Sequence, residues 1–364
     1  MRNSCLTFSV IFVIFYFCPV IMAIEHLDRV TIQVPGSTAN LGPYFDRAGA
    51  AIQDWMLEVT LELIDGNAID LLAISDIPVP RGRERGYAGV RALEQYLKSI
   101  DKGQQGCRLT IKDISREGFL SGGTGSSGAE ATGAVIAAAV LFGQSVSTRD
   151  IIIASAKGEP QEHKDNVAPS VLGGIVFLSD VPSSKELFVV QVPPPRDLGL
   201  AIGFSSHQKT EGTESTRKVL EDPVEGKLLV RQVGRAVAGA LSLERGNVGD
   251  FLKFVLGDEY HEPRRAEEGI YGNFSASEFA ALKHELYEKY RIALAVSGAG
   301  PSMQFWFDKK RPPFGITEEC KEFIGAWFTI KGINLRMEEV RITTNGAYHY
   351  ARGAYPQCHL NYFP

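Results

Sequence analysis

The chain has 364 residues, 44% of them hydrophobic, and a formal net charge of −5. That is length and apolar content enough for two domains, each with a core of its own. The mild acidic balance excludes a nucleic-acid binder of the basic-patch kind, since Arg81-Gly82-Arg83-Glu84-Arg85 and Lys309-Lys310-Arg311 are diluted by acids or prolines.

Residues 1–23 are unlike the rest: Arg2 supplies a positive start, Phe8 to Phe17 is almost wholly apolar, Pro19 breaks the run and Ala23 stands at a candidate cleavage point. This resembles a secretory signal, although Ile21 is bulkier than the small residue preferred before such a cut. An uncleaved anchor, an organelle-targeting leader and a wrongly chosen start codon stay open. Cys5 and Cys18 fall in this leader, and Cys107, Cys320 and Cys358 are widely spaced and odd in number, so no disulfide framework or zinc site follows.

Val30 to Val34 alternates as a strand that should end at Pro35-Gly36, and Met56 to Leu63 and Arg108 to Ile114 alternate likewise. Gly89 to Ile100 carries Val90, Leu93, Tyr96 and Leu97 at helical spacing, while Gly128 to Leu141 is rich in alanine and predicts a closely packed helix. Gly173 to Leu178 reads as a buried strand. Pro193-Pro194-Pro195 cannot sit inside a sheet and makes a stiff connector, which places a boundary between one unit at 27–192 and another at 197–355. The second half reads as a strand at Leu200 to Phe204, then helices at Thr213 to Leu220, Lys227 to Leu243, Val248 to Leu256 and Ala276 to Tyr290. A strand at Ile292 to Ser297, a helix at Phe314 to Lys331 and a strand at Leu335 to Thr343 complete it. Strands and helices mix without regular alternation, so the expected class is α+β rather than a doubly wound sheet.

The stretch Gly122-Gly123-Thr124-Gly125-Ser126-Ser127 runs without a break into the alanine-rich helix. Glycines let the backbone turn N–H groups toward an anion, and the helix adds the positive end of its dipole at the same point. A Walker loop is excluded because no lysine follows Gly125. Gly123, Gly125 and Gly128 satisfy the dinucleotide spacing, but no acidic ribose partner stands near Ala138 to Ser147. By itself the loop is either a phosphate cradle or a tight turn with its serines as helix caps.

Other motifs surround it. Val34 to Asp46 (VPGSTANLGPYFD), the central loop, His163-Lys164-Asp165-Asn166-Val167-Ala168-Pro169 and Ser297-Gly298-Ala299-Gly300-Pro301-Ser302 resemble in turn the segments VPASTANLGPGFD, GLGSSAA, HxDNVAP and SGAGPT of the GHMP small-molecule kinases, and within those of the homoserine kinases. Thr213 to Leu220 and His261 to Arg265 are similar to that family's TxxARxVL and HxPxR. The resemblance runs from Asp28 to Tyr355 and implies a ribosomal-S5-like N-terminal domain and a ferredoxin-like C-terminal one.

Phosphoryl transfer from ATP asks for charge neutralisation on the triphosphate and close placement of the acceptor hydroxyl. Gly122 to Ser127 would wrap the phosphates, Ser126 or Ser127 would reach Mg2+, and Glu159, or next Glu162, would complete the metal site. An amino-acid acceptor needs an arginine fork for its carboxylate and oxygen ligands for its ammonium. The resemblance assigns the fork to Arg217 and Arg265 with Thr213 assisting, and the amino group and reacting hydroxyl to Asn40, Asp46 and Asn166. It also implies direct attack with Asn166 orienting the hydroxyl; Asp165 is the candidate base otherwise, or a turn residue bonded to its own backbone. His163 is expected to brace this turn.

ATP, Mg2+, a hydroxy amino acid such as L-homoserine and a homodimer are what the family implies, with no nucleic acid partner. The kinase core is expected in the cytoplasm, with organelle or secretory targeting left open by the leader. The chain departs from the family at Tyr44, which would set a bulky ring beside the substrate region, and at Thr124, Gly128, Phe119 and Gln232. Two other readings therefore stay open: a GHMP kinase for another small hydroxy acid or polyol, and a catalytically silent nucleotide-binding relative.

Overall fold

A computed structural model of the protein describes residues 28–349 except 75–76, 80–82, 116–121, 183, 185, 208–214 and 222, together with 358–359. The leader, Phe119 and Thr213 lie outside the described residues.

The first half carries β1 (Arg29–Ala39), β2 (Ala48–Ile64), β3 (Ile69–Ile74), β4 (Ile77–Pro78), α1 (Ala88–Ser99), β5 (Gly106–Asp113), α2 (Ser126–Leu141), α3 (Thr148–Ala156), α4 (Val167–Leu172), β6 (Ile175–Asp180) and β7 (Leu187–Val192). The second carries β8 (Leu198–Ser205), α5 (Ser215–Lys218), α6 (Gly226–Glu244), α7 (Val248–Val255), α8 (His261–Glu267), α9 (Ala276–Tyr290), β9 (Ala293–Val296), β10 (Met303–Asp308), α10 (Glu318–Ile330), β11 (Leu335–Val340), β12 (Tyr348–His349) and β13 (Cys358–His359). One sheet of nine strands runs β13-β12-β1-β2-β5-β3-β4, with β6 on β2 and β7 on β6; the other, of four strands, runs β11-β8-β10-β9. The fold is α+β, as the unpatterned order of strands and helices implies.

Two element boundaries differ from expectation, the first of them at the site. The first strand does not stop at Pro35-Gly36: the register shifts there and pairing with β2 continues to Ala39, so Ser37 and Thr38 lie on a strand. A bulge tolerates both residues where a regular ladder would not. The helix expected from Phe314 starts at Glu318 instead, capped by Thr317, whose hydroxyl accepts from the Cys320 N–H. Strands β3, β4, β7, β10, β12 and β13 and helices α3, α4 and α8 have no counterpart among the expected elements.

Helix α2 is buried on nearly every side, against β1, β2 and helices α1, α3 and α4. Small residues all round it permit that, because a helix in the middle of a core needs no polar face. The second sheet has two apolar faces. Leu198, Leu200, Ile202, Ala293, Ala295 and Trp306 join the core around α2, whereas Ala201, Leu294, Val296, Met303, Phe305 and Phe307 pack on α9 and α10. This is the two-residue period of a strand, read on both sides. After β11 the chain returns to the first sheet, where β12 pairs with β1. Among the described residues no helix is long and apolar enough to cross a membrane.

Candidate active site

The glycine loop meets α2 at Gly125, the N-cap, which has φ +64° and no side-chain cap. The expectation that the serines cap the helix is not met: Ser126 and Ser127 are its first residues, past the position from which a hydroxyl can reach back to the N–H groups. Gly125 is required there twice over. Its φ is left-handed, and a Cβ would lie 2.2 Å from Ser37 Oγ and 2.9 Å from Asn166 Oδ1.

Three loop carbonyls are bound from behind. Ser302 Oγ donates to Gly122 O at 2.7 Å, Ser297 Oγ donates to Gly123 O, and the Ser37 N–H donates to Thr124 O at 3.2 Å. A trans peptide sets each N–H opposite the carbonyl before it, so the N–H groups of Gly123, Thr124 and Gly125 are turned the other way. Three such donors at the start of a sixteen-residue helix fit a polyphosphate.

Gly122, Gly123, Gly125, Ser126 and Ser127 form one end of a pocket of about 280 Å³, whose other walls include Asn40, Asp46, Glu159, His163, Asp165, Asn166, Arg217 and Arg265. Thr124 is buried beneath the loop and does not line it, and Glu162 is exposed outside it. Gly128 brings α2 against Asn166, since a Cβ there would be 3.1 Å from the Asn166 Cβ.

At the far end Arg217 gives Asp46 a bidentate bond, Nη1 to Oδ2 at 2.6 Å and Nη2 to Oδ1 at 2.7 Å. Asn40, at φ +59°, donates from Nδ2 to Gly298 O at 2.8 Å and accepts the Asp46 N–H at 2.8 Å. Arg265 is 1% exposed and donates from Nε to Thr216 O at 3.2 Å and from Nη1 to Gly298 O at 3.3 Å. Among the described residues no carboxylate pairs with it. A buried guanidinium without a counter-charge is costly, and an anion in the pocket would offset that cost.

Between the two ends His163 bridges two carboxylates, with Nδ1 2.9 Å from Asp165 Oδ1 and Nε2 3.2 Å from Glu159 Oε2. Burial opposes charge on the ring, but the bonds to Asp165 and Glu159 outweigh it and push the pKa up to about 10. Asp165 Oδ1 also accepts the Asn166 N–H at 3.1 Å, so His163 and a local turn hold the same carboxylate. The remaining Glu159 oxygen, Oε1, is buried without a hydrogen-bond partner among the described residues. With the Ser126 and Ser127 hydroxyls on the same wall, this is a donor set that suits a hard divalent cation. Behind it, on α2, Glu130 is pushed up to about 7 by burial first and by the charge of Glu159 second.

Two departures resolve away from the pocket. Tyr44 is 4% exposed, stacked edge-on to Phe177 at 5.2 Å, with its hydroxyl over Gly239 on α6, where a Cβ would approach it to 2.2 Å. The ring expected beside the substrate is thus turned into the core, and Gly239 makes room for it. Gln232 is buried too, donating to Asp258 Oδ1 at 2.5 Å and to Pro43 O at 3.3 Å. Asp258, His261 and Glu262 stand within metal-binding reach of one another, but Gln232, the Glu262 N–H, Lys283, the Val296 N–H and Gly42 O already engage them. Nothing in the local pattern marks Ser37, Ser297 or Ser302 as the groups that bind the loop; each reads as a small residue within a motif.

A glycine loop at a buried helix, held from behind by serines of the turn between β9 and β10, defines a two-sheet fold with a phosphate-type pocket. Residues 87–174 match the family model described as the GHMP kinases N terminal domain. The chain is 27% identical to the homoserine kinase of Methanococcus vannielii over 86% of its own length and 100% of the relative's, and 26% identical to that of Moorella thermoacetica over 87% and 98%. The crystal structure of homoserine kinase from Cytophaga hutchinsonii superposes with a TM-score of 0.68 at 23% identity, over 89% of this chain and 98% of that one. Mevalonate diphosphate decarboxylase from Staphylococcus aureus shares the fold at a TM-score of 0.63 and 11% identity, over 89% and 98%. The chain is thus similar to the GHMP kinases at residues 87–174 and to homoserine kinases over most of its length.

Proposed function

We propose that the protein transfers the γ-phosphoryl group of ATP to the side-chain hydroxyl of L-homoserine, giving O-phospho-L-homoserine on the route to threonine. The observation that carries the acceptor is Arg265, a buried guanidinium with no carboxylate partner among the described residues, on the wall of the pocket that the glycine loop also lines. An acceptor carboxylate supplies the missing counter-charge.

Residues 27–192 make the nucleotide-binding unit and 197–355 the second unit in this reading. ATP with Mg2+ supplies the phosphoryl group and neutralises its oxygens. The N–H groups of Gly123, Thr124 and Gly125 bind phosphate; Glu159 Oε1 and Ser126 hold the cation, and Ser127 stands beside them. Arg265 takes the acceptor carboxylate, with Arg217 beside it and Thr213 assisting. Asp46 is occupied by Arg217, so its first task is to fix that guanidinium; what it and Asn40 offer the ammonium is the remaining oxygen valence. Asn166 Oδ1 accepts from Ser37 Oγ at 3.1 Å, which fixes the amide so that Nδ2 can orient the hydroxyl. Asp165 Oδ1 is already engaged by His163 and by the Asn166 N–H, which favours direct attack with the proton leaving on a phosphate oxygen. We place the kinase core in the cytoplasm, as a homodimer.

The test is an acceptor panel. Purified protein with ATP, Mg2+ and L-homoserine should yield ADP and O-phosphohomoserine in equal amounts. Turnover of another hydroxy acid or polyol but not of homoserine would reassign the acceptor, and tight ATP binding with no transfer to any acceptor would make the protein a silent relative.

A further inference from the structure

We propose that Phe45 is a positioning residue, whose ring is the shared platform that sets Arg217 and Arg265 at the spacing one carboxylate needs; this rests on the amino-acid acceptor reading above. Phe45 does not line the pocket. Its ring centroid lies 5.5 Å from the Arg217 Cζ and 5.2 Å from the Arg265 Cζ, so two guanidinium groups share one aromatic ring.

Both guanidinium groups set a positive charge against the same ring, and among the described residues Asp46 pairs with Arg217. A carboxylate in the place of Phe45 would neutralise the second but would also occupy the N–H donors the acceptor needs. The ring quadrupole attracts the cations and leaves those donors free. The ring is in turn fixed by His261, at 5.1 Å and 33° between planes, and by Tyr260, edge-on at 5.7 Å. Both stand at the start of α8, the helix that carries Arg265, and His261 Nε2 is 3.1 Å from Gly42 O in the loop that carries Phe45. Phe45 is next in sequence to Asp46, the partner of Arg217. One ring is therefore coupled to both arms of the clamp.

The experiment is steady-state kinetics on the full chain with Phe45→Met and Phe45→Leu, which keep apolar bulk without a π face, and Phe45→Tyr, which keeps the face. Loss of two cation–π contacts should raise the KM for L-homoserine about tenfold in Phe45→Met and Phe45→Leu. The KM for ATP should stay at the wild-type value in both, kcat should change far less than the homoserine KM, and Phe45→Tyr should restore that KM. Thermal unfolding identifies a variant that has lost its fold, in which case the other carries the comparison. An unchanged homoserine KM in a folded variant, or equal losses for ATP and homoserine, would overturn this proposal alone. Absence of homoserine turnover by the unaltered protein would overturn the acceptor reading and this proposal with it.

Discussion

Arg265 and Arg217 are the same residue type in the same pocket, yet their surroundings give them different work. Arg217 is paired before any ligand arrives, whereas Arg265 is buried among carbonyls. A volume-conserving Arg265→Met substitution should raise the homoserine KM at least about thirtyfold, roughly 2 kcal/mol of lost charge pairing. The same variant should melt no lower than the wild type, because it removes a buried charge that no carboxylate among the described residues pairs with. A fall in melting temperature with an unmoved KM would make Arg265 a structural residue. Tyr44 is the converse case, a departure inside a binding motif whose ring serves packing. Tyr44→Ala should cost about 3 kcal/mol of stability, read by denaturant unfolding, while both KM values hold. The Gly239 notch that receives it lies on a distant helix, so nothing near Tyr44 in the sequence signals its destination.

Helix α2 concentrates the element-scale chemistry, because one end binds phosphate and its flank carries a buried acid. Glu130 has a folded pKa of about 7 against an ordinary 4.5. A raised carboxyl pKa means the folded state retains a proton the unfolded chain has released, so this residue costs stability as pH rises from about 4.5 to about 7 and holds the cost above that. Glu130→Gln in the metal-free protein should therefore be near neutral at pH 5 and stabilising by about 1–3 kcal/mol at pH 8, measured as a difference in unfolding midpoints at the two values. Equal shifts at both pH values would remove the burial argument. The helix itself was legible, since a small, apolar, alanine-rich run has few other homes. Its start was not, because Ser126 reads as a cap until the left-handed Gly125 is seen.

Across the whole molecule the proline run divides the chain more sharply than the core does. Leu198, Leu200 and Trp306 of the second sheet share one apolar cluster with α2 and the first sheet, and β12 returns to β1. Among the described residues two free, buried thiols report on the two halves, Cys107 in β5 and Cys320 in α10. A shared core predicts one cooperative transition, with both thiols becoming reactive to a maleimide over the same denaturant range. Separate ranges would mean that the halves unfold as independent units.

The sequence by itself determined the class, the glycine loop and most of the residues that line the pocket, though not Thr124 or Glu162, because those features depend on backbone conformations that only certain residues adopt and on residue types that phosphate and carboxylate demand. Tertiary structure decided the pairings. Whether Asp46 meets a ligand or Arg217, whether Tyr44 faces the pocket or Gly239, and which serines bind the loop are contacts between distant segments. Local pattern carries no record of them, since each is fixed by how the two sheets pack around α2.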